Sequence, residues 1–303
     1  MAFAEIYHKQ VALLLRALPH IAEEDCFALK GGTAINLFVR DLPRLSVDID
    51  LAYVPVEPRD RSLAAIDGAM KRIAEKIRKA IGAHVTESIK ENAVIKLVVR
   101  AEGVQIIVEV TPVLRGCVFE PEVRAVSPKV EELFGFAEIR VVSFADLYAG
   151  KLVAALDRQH PRDLFDVREL LAQEGVDDAL RKAFIVYLLS HDRPMFEVLA
   201  SPQKEFSQEF VRGFQGMTDT SVQFEDLVLA REAMIDVVVN QMPMDHRRFL
   251  ISFEKGQPDW ELLGIPEAAG LPAVRWRQQN LDKLEKTKRE ELVVNLEKVL
   301  LKN

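Results

Sequence analysis

Apolar residues first recur at helical spacing near the start of the chain. Val11, Leu14, Leu15 and Leu18 share one face, which predicts a helix over residues 5–18 stopped by Pro19. A second short helix is predicted to open at Gly31-Gly32-Thr33, anchored by Leu37 and Phe38 and followed by a loop around Pro43. The period then shortens to two. Asp48 and Asp50 alternate with Val47, Ile49 and Leu51, so a strand here turns two carboxylates to one side and aliphatic side chains to the other. Pro55 and Pro58 close it. Helical spacing returns over 61–81, with Leu63, Ile66, Met70, Ile73, Ile77 and Ile81 on one stripe and Lys71, Arg72, Lys76, Arg78 and Lys79 on the rest, a pattern expected of a solvated basic face.

Two strands follow, Val94–Arg100 and Val104–Val110, joined by Ala101-Glu102-Gly103 as a hairpin turn. Residues 112–142 read as loop-rich and end in a strand, Ala137–Val142. Ser143-x-x-Asp146 is a capping pattern ahead of a helix from Phe144 to about Arg158, and Pro161 begins another, PRDLFDVRELLAQ, in the first turn where proline is tolerated. From Val176 onward the pattern is helical throughout: a register over Ser221–Met242 with exposed charge from Asp226 to Arg231, a break at Gly256 and Pro258 between two short helices, and a long charged helix after Asn280 running nearly to Lys302.

The chemistry suggested by this pattern gathers early in the chain. Two like charges side by side on a strand push one pKa upward unless a cation compensates, and a hard divalent ion with carboxylate oxygens is the common solution. Glu109 is the one acid inside the apolar run VQIIVEV, where an isolated carboxylate is costly unless paired or bound to a cation. It is the natural third ligand beside Asp48 and Asp50, the alternative being an edge-strand acid that points to solvent. A Gly-Gly-Thr turn entering a helix offers backbone N–H groups and close approach, which suits a phosphate.

Composition narrows the class without naming it. The chain has 303 residues, about half of them apolar, enough for a sizeable core and two subdomains. No apolar run reaches membrane-spanning length, and the opening MAFAEIYHKQ lacks the apolar core of a signal peptide, so a soluble, cytoplasmic protein is expected. A net charge of −7 argues against indiscriminate coating of nucleic acid, although it leaves room for a local patch. The two cysteines, Cys26 and Cys117, have no CxxC spacing and read as small core residues.

Gly31-Gly32-Thr33, then Arg44, Ser46 and Asp48-Ile49-Asp50-Leu51, resembles the active-site entry of the nucleotidyltransferase fold in its AbiEii/AbiGii toxin branch, relatives of polymerase-β-type transferases that act in type IV toxin–antitoxin and abortive-infection systems. The likeness extends to Lys151, Arg158, Arg162-Asp163 and Asp166, and to the HRRFL and PAVRWRQQN segments near the C-terminus. It implies an α/β fold: a polymerase-β-like nucleotidyltransferase domain with a mixed sheet over 1–142, then a mainly helical domain over 143–303 that completes the active-site cleft and binds the acceptor.

The resemblance also implies roles. Asp48, Asp50 and Glu109 would hold magnesium, as a pair of ions; Gly31, Gly32, Thr33 and Ser46 would position the phosphates of an NTP; Lys151 would neutralise charge on the triphosphate. Asp166, helped by Asp163, would orient or deprotonate the acceptor, with Arg158 and Arg162 in support, while a purely local reading leaves Arg162 and Asp166 an ordinary i,i+4 pair. The implied product is NMP added to the 3′ end of tRNA, blocking translation, and the implied partner is an antitoxin encoded nearby. Arg247, Arg248, Arg275, Arg277 and Trp276 could offer an RNA platform or simply a helical scaffold. Transfer to a small molecule or protein, a kinase activity, and a non-catalytic binding protein that keeps the fold all remain open at this point.

Overall fold

The computed structural model describes residues 5–301, which form two compact units. The first comprises Met1–Ser143 together with Gln215–Val222; the second comprises Phe144–Phe214 and Gln223–Asn303.

The first unit is built on a seven-stranded mixed sheet of order β3-β4-β5-β2-β1-β7-β6. Its strands are β1 (Phe27–Lys30), β2 (Asp48–Tyr53), β3 (His84–Lys90), β4 (Ala93–Ala101), β5 (Val104–Arg115), β6 (Glu122–Ala125) and β7 (Glu138–Val141). β2 runs antiparallel to β1 and parallel to β5, which places the acid-bearing strand at the centre of the sheet. The alternation predicted for β2 is present, with Ile49 and Leu51 buried, and β5 alternates too, with Ile106, Val108 and Val110 all buried. Fully burying each such side chain contributes about 1.5–3 kcal/mol, enough to fix the register, because a one-residue slip would expose all of them. The β4–β5 turn has positive φ at both Glu102 and Gly103, the form that matches the twist of paired strands.

Helix α1 (Glu5–Ala22) packs on β5 and β7, and α3 (Arg59–Ile81) packs on β4 and on α1. Between them α2 (Gly31–Ala34) continues as a π-turn to Val39, and α4 (Pro128–Phe134) precedes β7. α1 runs through Pro19 rather than stopping there, which lets Ile21 join Leu14 and Leu18 in the core. The segment read as loop-rich holds the end of β5, all of β6 and α4. β3 and β6 carried no sequence signal because each is mostly exposed and polar, so neither alternates cleanly. The basic face of α3 is solvated and largely paired: Lys71 with Asp67, Arg72 with Glu24, Lys76 with Glu23 and Arg78 with Glu87.

The return segment Gln215–Val222 belongs to the first unit through a bridge between Arg44 and Thr218 and a hydrogen bond from the Leu45 N–H to the Met217 carbonyl at 2.8 Å.

The second unit is helical: α5 (Phe144–Asp157), α6 (Pro161–Gln173), α7 (Asp178–Leu189), α8 (Met195–Leu199), α9 (Ser207–Gly213), α10 (Phe224–Ile235), α11 (Met244–Glu254), α12 (Pro272–Lys283) and α13 (Lys286–Leu300). The single charged helix expected after Asn280 is broken at Leu284 and Glu285, whose extended backbone separates α12 from α13; Lys302 lies outside the described residues. Arg231, read as exposed charge, is buried and donates to the Ser201 carbonyl.

Candidate active site

At the start of α2 the chain turns sharply. Gly31 has φ +76, and a Cβ there would fall 2.5 Å from Asp50 Oδ2, so the position requires glycine on conformational and steric grounds alike. Gly32 lies as close to its neighbours: a Cβ would come within 2.8 Å of the Arg44 guanidinium and 2.9 Å of Ser46 Oγ. Both glycines remain partly accessible, whereas Thr33 and Ser46 are buried. Thr33 Oγ1 lies 3.0 Å from Ser46 Oγ and donates to the Asp48 carbonyl. These hydroxyls therefore tie the turn to the beginning of β2, and the glycine backbone is what faces outward. Arg44 is fully buried and donates to the Leu45 carbonyl at 2.8 Å.

Asp48 and Asp50 sit two apart on β2 with Ile49 buried between them. Parallel pairing sets Asp50 opposite Glu109 on β5, so the sheet brings all three predicted carboxylates to adjacent positions. Among the described residues no three of His, Cys, Asp and Glu close into a metal-ligand group. Glu109 instead meets Lys96 of β4, Nζ to Oε2 3.2 Å. The donor set still suits a hard divalent cation, since it is made of carboxylate oxygens on one sheet face and is lined by a glycine turn that leaves the Asp50 carboxylate uncovered by any side chain at position 31.

Sequence reasoning missed Lys30. It ends β1 opposite Asp50 and donates to Thr111 Oγ1 at 3.3 Å. Burial pulls its pKa below the usual lysine range while Asp50 and Glu109 push back. The available signal was a lysine closing the apolar run FAL immediately before the glycines.

In the second unit, Lys151 projects from α5 into α6, its Nζ lying 2.8 Å from Asp163 Oδ1 and 3.0 Å from Asp166 Oδ2. Arg158 also reaches Asp163, with Nη2 2.9 Å from Oδ1. All but Arg158 are buried: Lys151 is 7% exposed, and Asp163 and Asp166 1% or less. Burial would raise the Asp163 pKa, but Lys151 and Arg158 outweigh it and hold the carboxyl well below the usual range. Arg162 sits in the first turn of α6, which is capped by His160: Nδ1 accepts from the Arg162 N–H at 3.1 Å.

A family model described as the nucleotidyl transferase AbiEii toxin of type IV toxin–antitoxin systems matches residues 12–280. The chain belongs to that family. AbiEii membership makes it a nucleotidyltransferase toxin and implies an antitoxin partner. A solved structure of MenT4, a nucleotidyltransferase toxin from Mycobacterium tuberculosis, shares the fold, with a TM-score of 0.60 at 16% identity over 96% of this chain and 94% of MenT4. No curated protein matches the sequence. No described helix is long and apolar enough to cross a membrane.

The C-terminal residues that the AbiEii likeness singled out divide into two kinds. Arg247 is half-buried, donating to the carbonyl of Met242 at 2.8 Å and to those of Leu300 and Asn240, and Arg277 is buried, donating to the carbonyls of His191 and Arg193 at 3.1 Å each. Arg247 thus spends its donors on the backbone of its own unit, while Arg277 commits Nη1 to backbone and places Nη2 3.9 Å from Glu254 Oε2. Arg248, Arg275 and Trp276 remain exposed.

Proposed function

We propose that this AbiEii toxin transfers NMP from an NTP to the 3′ end of tRNA, in a reaction dependent on a divalent cation, and thereby blocks translation. The observation that carries the reading is the register of Asp48, Asp50 and Glu109 on neighbouring strands beside the Gly31-Gly32 turn. Asp48, Asp50 and Glu109 would hold magnesium, two ions in the active complex. The metal supplies charge neutralisation and polarisation of phosphoryl oxygens when bound.

The chain's own residues do the rest. The N–H groups that open α2 face the nucleotide's phosphates, because the first N–H groups of a helix have no partner inside it. Thr33, Ser46 and Arg44 hold that turn against β2. Lys151 has three N–H donors, of which Asp163 and Asp166 take two, leaving one for a phosphate oxygen. Asp166 orients the acceptor group, directly or through Lys151, with Asp163, Arg158 and Arg162 fixing the geometry. Exposed Arg248, Arg275 and Trp276 contact RNA by charge and stacking.

The test is incubation of the pure protein with total tRNA, magnesium and each α-labelled NTP in turn. Label enters tRNA with at least one NTP and is absent with Asp48→Ala. If no NTP labels tRNA while a small molecule or protein becomes labelled, the acceptor assignment fails and the transferase stands.

A further inference from the structure

Four strands place four charges in one row. Lys30 on β1 stands opposite Asp50 on β2, Asp50 opposite Glu109 on β5, and Glu109 opposite Lys96 on β4. Directly opposed residues project from the same face, so the row reads positive, negative, negative, positive across the sheet. Like charges opposed on neighbouring strands are destabilising, and the central pair needs an offset whenever no divalent cation is bound.

Both ends of the row supply one. Lys96 makes an ion pair with Glu109 at 3.2 Å and is partly exposed. Lys30 is held differently. Its ammonium is anchored by Thr111 Oγ1 at 3.3 Å, on the same face of β5 two residues beyond Glu109, within the field of both Asp50 and Glu109. The adjoining Gly31 leaves no side chain between the turn and Asp50. A half-buried lysine gives up part of its hydration, a cost that neighbouring carboxylates offset.

We propose that Lys30 is a positioning residue, the resident cation of the carboxylate face, which keeps Asp50 and Glu109 aligned on neighbouring strands when no metal is bound. It then competes with a divalent cation for the same carboxylates. The second statement rests on the metal-binding reading above; the first does not.

A double-mutant cycle in metal-free buffer with chelator tests the first part: urea unfolding of the wild type, Lys30→Met, Asp50→Asn and the double variant. Lys30→Met lowers the unfolding midpoint, and adding Asp50→Asn restores much of the loss although Asp50→Asn alone changes little. Additive effects overturn the proposal. Should Lys30→Met not fold, the double variant must fold, and a double variant equally unfolded overturns it.

The second part is read from Mn2+ titrations of the folded variants by electron paramagnetic resonance. Lys30→Met binds Mn2+ about tenfold more tightly, because an opposing charge has left the site, while nucleotide transfer falls; Lys30→Arg stays near wild type in both. A merely structural role would weaken both together, and unchanged or weaker Mn2+ binding by folded Lys30→Met contradicts the competition. If no variant, wild type included, binds Mn2+, the metal reading fails while the cycle still decides the role of Lys30.

Discussion

On the sheet, Asp48, Asp50 and Glu109 crowd like charges onto one face within reach of solvent, with Glu109 43% exposed. Between α5 and α6, Asp163 and Asp166 are buried, yet Lys151 and Arg158 bring that cluster to formal neutrality. The difference separates two uses of charge. The helical cluster is balanced in charge within the fold, and its hydrogen bonds form with folding. The sheet face is open to solvent, its Lys96–Glu109 pair lying between partly exposed side chains, and such a pair contributes little to folding while leaving the carboxylates within reach of a cation or a substrate. Substitutions in the two places should therefore fail in different ways.

The largest effect on stability belongs to Lys151. Lys151→Met removes the ammonium that two buried carboxylates share, and removing one partner of a buried ion pair costs about 3–5 kcal/mol. Chemical denaturation should show a midpoint lowered accordingly. A loss of under about 1 kcal/mol would mean that the cluster is as dispensable as a surface pair.

Acid should expose the same asymmetry. The Asp163 carboxyl titrates below its unfolded value, so its contribution to stability is present above about pH 4 and is lost as pH falls through the depressed folded pKa. Unfolding free energy measured against pH should fall steeply below about pH 4, and Asp163→Asn should flatten that limb while lowering stability at neutral pH. An unaltered acid limb in Asp163→Asn would assign the acid sensitivity elsewhere.

These contrasts also explain what was legible in the sequence. The acid-bearing strand could be read because period-two alternation is local, and the glycine turn because two glycines in succession constrain the backbone where they stand. Family resemblance extended that reading to Lys151 and Asp166, but their mutual ion pair depends on how α5 and α6 pack, which no spacing rule specifies. Lys30 was missed for the same reason: its meaning comes from strand register, which joins residues 20 and 59 positions apart in the chain. For Arg247 and Arg277 an RNA platform and a helical scaffold read alike in the sequence; only the fold shows their donors turned to backbone carbonyls. β3 and β6 were hidden by exposure, since an edge strand with polar side chains on both faces carries no apolar period.

The smallest expected effect on stability is the most informative. Asp50→Asn removes an attraction to Lys30 and a repulsion from Glu109 together, so its unfolding midpoint in metal-free buffer should shift by less than about 2 °C. Its nucleotide transfer, by contrast, should fall at least about a thousandfold, the scale expected when charge stabilisation at the reacting phosphate is lost. Measuring both on one preparation tests the central claim most directly, that the sheet carboxylates serve catalysis and not folding. A preserved midpoint with abolished transfer is the predicted result; a midpoint lowered by many degrees with transfer retained would contradict it.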